Sequence, residues 1–212
     1  MSYRLGVDVG GTFTDLLLID EDSGKTFTAK VPSTPQDSSI GVLNGVARIC
    51  EEPGGDPSAI RRVMHGTTVA TNAVLEGKGA RVAYVTSKGF ADVLTLGRQE
   101  REHVYQLKQL ETPPPVPREL CLEVSTRIGA GGELLLESSD AELRELRERL
   151  QALDVESVAV NLLFAFLAPE QEQRIAAALE GPWFLSLSSQ VLPEVRRYAR
   201  GLATWLNASV GP

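Results

Sequence analysis

Asp8-Val9-Gly10-Gly11-Thr12-Phe13-Thr14-Asp15 is the stretch on which the fold turns. Upstream of it, Tyr3, Leu5, Val7 and Val9 alternate with Arg4, Gly6 and Asp8. That is the period of a strand with one apolar face. Gly10-Gly11 breaks the run, and residues 12–20 resume it through Phe13 and the stretch Leu16 to Ile19. Glu21-Asp22-Ser23-Gly24 reads as a turn and residues 25–31 as a third strand. The chain therefore opens as an antiparallel three-strand meander.

The first turn of that meander carries the clearest chemistry. A strand ends in a carboxylate, two glycines follow, and hydroxyls stand at positions 12 and 14. Glycines, lacking Cβ, let backbone N–H groups approach a phosphate closely. Strand alternation puts Thr12 and Thr14 on one face, where both hydroxyls add donors. Asp8 beside them is placed to hold Mg²⁺, directly or through water. The Rossmann turn is excluded, because a strand-like run follows and its third glycine is missing. The Walker loop is excluded too: Gly24-Lys25-Thr26 matches its end, but Ile19 stands where its first glycine belongs. Gly10-Gly11 alone fits an ordinary hairpin equally well. Asp8, Thr12 and Thr14 at their spacing favour a phosphate.

Farther along, Thr34 reads as the N-cap of a helix with Pro35 at its first position. Ile40, Leu43, Ala47 and Cys50 follow at helical spacing until Pro53-Gly54-Gly55. Residues 60–65 form a short strand, and His65-Gly66-Thr67-Thr68 leads into a helix ending near Leu75. A helix N-terminus suits an anion or a developing oxyanion, and His65 there could position substrate or transfer a proton. The alternative is that Thr67 or Thr68 merely caps the helix. Residues 80–86, 156–163 and 183–188 read as strands. Between them lie a helix from the capping pair Ser139 and Glu142, with Leu143, Leu146, Leu150 and Leu153 on one face, and a helix opened by Pro169. A last helix carries Val195, Tyr198, Leu202 and Trp205. Residues 90–135 are irregular, with a proline run from Thr112 and a hairpin of 119–128 with 133–137 across Ala130-Gly131-Gly132. The order implies an α/β class, a mixed sheet with helices on both faces.

The chain has 212 residues and a formal net charge of −7. An acidic chain without a dense basic face disfavours nucleic acid as a partner; Arg196, Arg197 and Arg200 form a small cluster. No apolar run approaches membrane-spanning length, and the opening residues lack the order of a signal peptide, so a cytoplasmic location is the expectation. Cys50 and Cys121 read as reduced packing residues, and no spacing resembles a zinc site. Arg98 and His103 have open roles, both most simply as surface side chains.

Taken together these segments resemble the hydantoinase A/5-oxoprolinase family, which includes acetone carboxylase β subunits. Gly6 to Asp15 is similar to the family's opening and His65 to Ala73 to its second signature. Lys78 to Ala83, Thr86 to Leu94, Gly97-Arg98-Gln99, Leu187 to Glu194 and Leu206 to Pro212 continue it in order. Tyr198 to Trp205 departs from it, lacking the glutamate and paired hydroxyls of the family's helix. The resemblance implies a ribonuclease H-like, actin-like ATPase domain over residues 1–212, with an irregular insertion at about 90–135. It implies that the second ATPase domain, or a partner subunit, lies outside this chain, which would be inactive alone, and that the full enzyme is an oligomer. ATP and Mg²⁺ are the implied cofactors. Asp8 would hold the metal and, with His65, Thr67 and Thr68, face the reaction; Gly10, Gly11, Thr12 and Thr14 would hold the phosphates. The implied reaction is ATP-dependent opening of a hydantoin or 5-oxoproline-like lactam. A ketone carboxylase subunit, a small-molecule kinase and a non-catalytic partner-binding fragment are the alternatives.

Overall fold

The computed structural model describes residues 2–34, 36–100, 105 and 113–212. Pro35, His103 and Thr112, on which sequence expectations fell, lie outside these. The chain divides into two compact units, Met1–Lys78 and Gly79–Pro212.

The first unit contains β1 (Tyr3–Val9), β2 (Phe13–Asp20), β3 (Thr26–Pro32), α1 (Ser38–Glu51), β4 (Ile60–Thr67) and α2 (Val69–Leu75). Its four strands lie in the order β3-β2-β1-β4, with the meander antiparallel and β4 parallel to β1. The meander is as the period-2 pattern reads it. Gly24, at φ 72°, makes the β2–β3 turn, where its N–H donates to the carbonyl of Asp20. Tyr3, Leu5, Val7, Val9, Leu16 and Leu18 form the buried face, closed by Ile49 and Cys50 of α1. Gly45 makes that approach possible: a Cβ there would lie 2.3 Å from the Leu16 Cδ1. The N-cap of α1 is Asp37, which accepts from the N–H of Ser39 at 2.9 Å. Thr34 is not the cap; its hydroxyl accepts from the N–H of Gly41, one turn inside the helix, at 2.9 Å. The other face of this sheet is open, leaving Phe13, Leu17 and Met64 46%, 41% and 56% exposed. The expectation of helices on both faces therefore fails for this sheet.

The second unit contains β5 (Val82–Ser87), α3 (Val93–Leu96), β6 (Cys121–Val124), β7 (Arg127–Ile128), β8 (Leu134–Leu136), α4 (Asp140–Ala152), β9 (Ser157–Asn161), α5 (Pro169–Ala178), β10 (Phe184–Leu187), α6 (Ser188–Val191) and α7 (Arg197–Val210). Its main sheet is wholly parallel in the order β10-β9-β5-β6. One mixed sheet was expected; β5 instead starts a second sheet. Residues 121–124 also leave the expected hairpin to pair with β5, and only β7 and β8 pair across the Gly131-Gly132 turn. Helices cover both faces of this sheet, with α4 and α5 against Val85 and Val160, and α7 against Tyr84 and Ala159. Continuous burial of β5 and β9 follows, as parallel strands require. Ser139 caps α4 by accepting from the N–H of Glu142, but the Glu142 carboxylate accepts from the N–H of Ser125 at 2.7 Å, so only half of the expected capping box forms. Val195 lies outside α7 and is exposed; the buried face of that helix includes Arg200 and Thr204.

Candidate functional site

The turn between β1 and β2 sits at the carboxyl end of an inner strand, and Ser33, just past β3, holds it. The N–H of Gly10 donates to the carbonyl of Phe13 at 3.0 Å, and that of Ser33 to the carbonyl of Thr12 at 2.9 Å. The Ser33 hydroxyl donates to the carbonyl of Gly10 at 2.7 Å. With its one proton so committed, Ser33 Oγ accepts from Thr14 Oγ1 at 3.0 Å. Two carbonyls of the turn thus point back at Ser33. The N–H groups of Gly11 and Thr12 have no hydrogen-bond partner among the described residues. A Cβ on Gly10 would lie 3.0 Å from the Phe13 carbonyl, and one on Gly11 3.0 Å from Asn72 Nδ2. Both glycines therefore answer to close packing.

Thr12 and Thr14 do not share a face. β2 begins only at Phe13, so Thr12 is exposed in the turn while Thr14 is fully buried on the α1 side. Thr14 braces the turn through Ser33.

The pairing register separates other expected partners. Asp8 stands opposite Asp15 on β2 and Gly66 on β4, all on the open face of the sheet. Val7 stands opposite His65, so the imidazole projects from the other face. Asp8 and His65 thus face opposite ways, although both border a cavity of about 850 Å³ at this end of the sheet. The reason is the strand period: residues 7 and 8 necessarily point apart. Asp15 pairs with Lys30 at 3.0 Å, and Asp8 has no ion pair or hydrogen bond among the described residues. No group of three His, Cys, Asp or Glu side chains suited to a metal occurs among them. Thr67 Oγ1 donates to the carbonyl of Val9 at 3.3 Å and accepts from the N–H of Val69 at 3.2 Å. Its role is to join β4 to α2. Thr68 is the N-cap of α2 but makes no side-chain capping bond. α2 is seven residues long, too short for a strong terminal field.

Two cavities flank the end of β1. One of about 850 Å³ lies on the open face and is lined by Asp8, Asp15, Leu17, Lys30, Met64 and Gly66 among others. The other, of about 280 Å³, is lined by Gly10 and Gly11 with Ser33, Ser38, Asn72 and Lys78. The sequence motif pointed to the glycines alone. Ser33, Asn72 and Lys78 come from other segments; Asn72 and Lys78 fall in stretches that carry the family resemblance, Ser33 in none, and no spacing shows that they reach the turn. In the second unit, Arg98 lines a cavity of about 390 Å³ with Arg196, Arg197 and Glu100. Arg197 stacks on Phe90, its guanidinium carbon 3.4 Å from the ring centre, and burial pushes its pKa down to about 10.

The fold and this turn define an α/β protein with a glycine hairpin at the carboxyl end of an inner strand. Residues 4–181 match the family model described as "Hydantoinase/oxoprolinase N-terminal region". The chain belongs to the hydantoinase/oxoprolinase family. It is 32% identical over 219 residues to the caprolactamase subunit alpha of Pseudomonas jessenii, spanning 99% of this chain and 31% of that one. It is 32% identical over 240 residues to 5-oxoprolinase 1 of Arabidopsis thaliana, spanning 99% of this chain and 19% of the relative. Among solved structures, nucleotide-free acetone carboxylase superposes with a TM-score of 0.89 at 23% identity, over 98% of this chain and 32% of that one. The ATP-dependent caprolactamase of P. jessenii superposes at 0.83 and 30% identity, over 99% of this chain and 31% of that one. The chain thus spans about a third of the caprolactamase subunit and less of the oxoprolinase.

Proposed function

We propose that this chain is the phosphate-binding part of an ATP-dependent enzyme that opens a cyclic amide, a hydantoin or a 5-oxoproline-like lactam. The observation that carries the reading is the pair of unbonded N–H groups at Gly11 and Thr12, in a turn whose carbonyls are held back by Ser33. Such a concavity attracts an anion. Gly10 and Gly11 line a cavity of about 280 Å³ beside those N–H groups. The order β3-β2-β1-β4 supports the finer reading of this unit as a ribonuclease H-like, actin-like ATPase fold.

These residues fit ATP and magnesium. The turn would hold phosphate oxygens through its two N–H groups, with the exposed Thr12 hydroxyl beside them. Asp8, with no partner among the described residues and Asp15 on the same face, offers hard oxygen to a magnesium ion that keeps most of its waters. ATP would supply the phosphoryl group that turns an amide oxygen into a leaving group. His65, on the face away from Asp8, is left to act on substrate rather than on the metal.

Calorimetric titration with MgATP tests the assignment. Wild type should bind; Asp8→Asn should weaken binding at least roughly ten-fold, as loss of a charge-assisted contact does, and Gly11→Ala should weaken it by a similar factor, because the new Cβ would crowd Asn72 at 3.0 Å and shift the turn. Unchanged affinity in both variants would remove the turn from nucleotide binding. The carboxylase reading is separated by product: a lactam hydrolase releases a ring-opened amino acid with ADP, whereas a carboxylase consumes bicarbonate.

A further inference from the structure

The 280 Å³ cavity beside the glycine turn has a second wall that the sequence motif does not contain. α2 presents Asn72 to it, and Lys78 follows shortly after. Asn72 is half-buried, and its amide has no hydrogen-bond partner among the described residues. Its Nδ2 sits 3.0 Å from where a Cβ of Gly11 would be, so it abuts the residue whose N–H is also unbonded. Asparagine is a weak helix former because its side chain competes for backbone bonds. Here it makes none, so its position has no local structural reason. Lys78 is exposed and pairs with Glu76 at 2.7 Å. Exposed pairs of this kind are worth little and exchange readily. The cavity is below the usual size for a whole drug-sized ligand, but suits phosphate groups.

We infer that Asn72 and Lys78 are specificity-determining phosphate contacts: the Asn72 amide donates to the phosphoryl group that the Gly11 N–H holds, and Lys78 leaves Glu76 to neutralise it. This rests on the reading of the turn as a phosphate site and extends it to a second element. One side of the group would then meet backbone donors fixed by Ser33. The other would meet a neutral amide and a mobile cation, and together these distinguish a polyanion from an uncharged ligand.

The test is a titration of the ¹⁵N-labelled chain with sodium tripolyphosphate, following the Gly11 backbone amide and the Asn72 side-chain amide by NMR. Both resonances should move with one dissociation constant, and adenosine should move neither. Asn72→Asp and Lys78→Gln should each weaken tripolyphosphate binding roughly ten-fold, and Lys78→Gln should also flatten its salt dependence. Lys78 is exposed, so that variant keeps its fold, and the dispersion of the remaining amides checks both. If Gly11 moves while Asn72 stays still, or if both variants bind as wild type, the second wall is refuted and the turn assignment stands. If neither resonance moves, both are refuted. Movement of Asn72 with adenosine would make the cavity a nucleoside site and refute the inference.

Discussion

Ser33→Ala is the perturbation that most directly probes how the turn is held. The variant removes the donor to the Gly10 carbonyl at 2.7 Å and the acceptor for Thr14 at 3.0 Å. The Gly10 carbonyl lies at a partly exposed turn, where water can replace the lost donor. Thr14 is fully buried and has no such recourse. An unsatisfied buried hydroxyl costs about 1–3 kcal/mol, so Ser33→Ala should destabilise the first unit by about 2 kcal/mol. Thr14→Val alone leaves Ser33 bonded to Gly10 and should cost about 1 kcal/mol. Once Thr14 is valine, deleting the serine hydroxyl strands nothing, so the double variant should be less than additive by about 1 kcal/mol. Both tryptophans, Trp183 and Trp205, lie in the second unit. Fluorescence would therefore miss the effect, and the assay is native-state amide exchange at Leu5, Val7, Leu16 and Leu18. Strict additivity of the two substitutions would refute the hydrogen-bond chain from Thr14 through Ser33 to Gly10. Tripolyphosphate affinity, read in the same samples, should fall with Ser33→Ala more than with Thr14→Val.

Other outcomes follow from particular contacts. Gly201→Ala would bring a Cβ to 2.5 Å from Asn161 Nδ2 and 2.6 Å from Tyr84 Oη, two groups already hydrogen-bonded to each other. Overpacking of this kind should destabilise the second unit by about 1–3 kcal/mol, read by urea unfolding followed through tryptophan fluorescence; a wild-type midpoint would contradict the packing described. Glu172, fully buried, accepts from the N–H groups of Leu162 and Ser189 and from the Ser188 hydroxyl. Glu172→Leu strands all three and should cost at least about 3 kcal/mol in the same assay. Bonds from the Ser23 hydroxyl and then the Asp22 N–H hold the Asp20 carboxyl below the usual carboxylate range. Its contribution is present above the unfolded-state pKa and is lost as pH falls through the folded-state value. Asp20→Asn should accordingly flatten the acid limb of the first unit's stability below about pH 4, measured by amide exchange; an acid limb as steep as wild type would rule this out.

Much of the fold was legible because strand and helix periods are local. The alternation from Tyr3 to Val9, the glycine break and the Leu143, Leu146, Leu150 stripe each mark an element without reference to anything distant. The glycine turn was legible for the same reason, since its requirement for small residues is written at consecutive positions. Thr12 and Thr14 were read onto one face because the strand was taken to begin at Thr12; it begins at Phe13, so the period of two does not reach Thr12. Ser33 stood in no motif, and Asn72 stood in the second signature with nothing to show that it reaches the glycine turn, because both come to the turn from other segments.

The sequence by itself determined the meander, the turn and the family. These follow from short-range pattern and from steric rules acting on neighbouring residues. Tertiary structure alone decided that β5 starts a second, parallel sheet, that Asp8 and His65 face opposite ways, and that Ser33 holds the turn while Asn72 abuts it. Those facts depend on which strands pair and in what register, and a period of two specifies a face without specifying the partner that lies beside it.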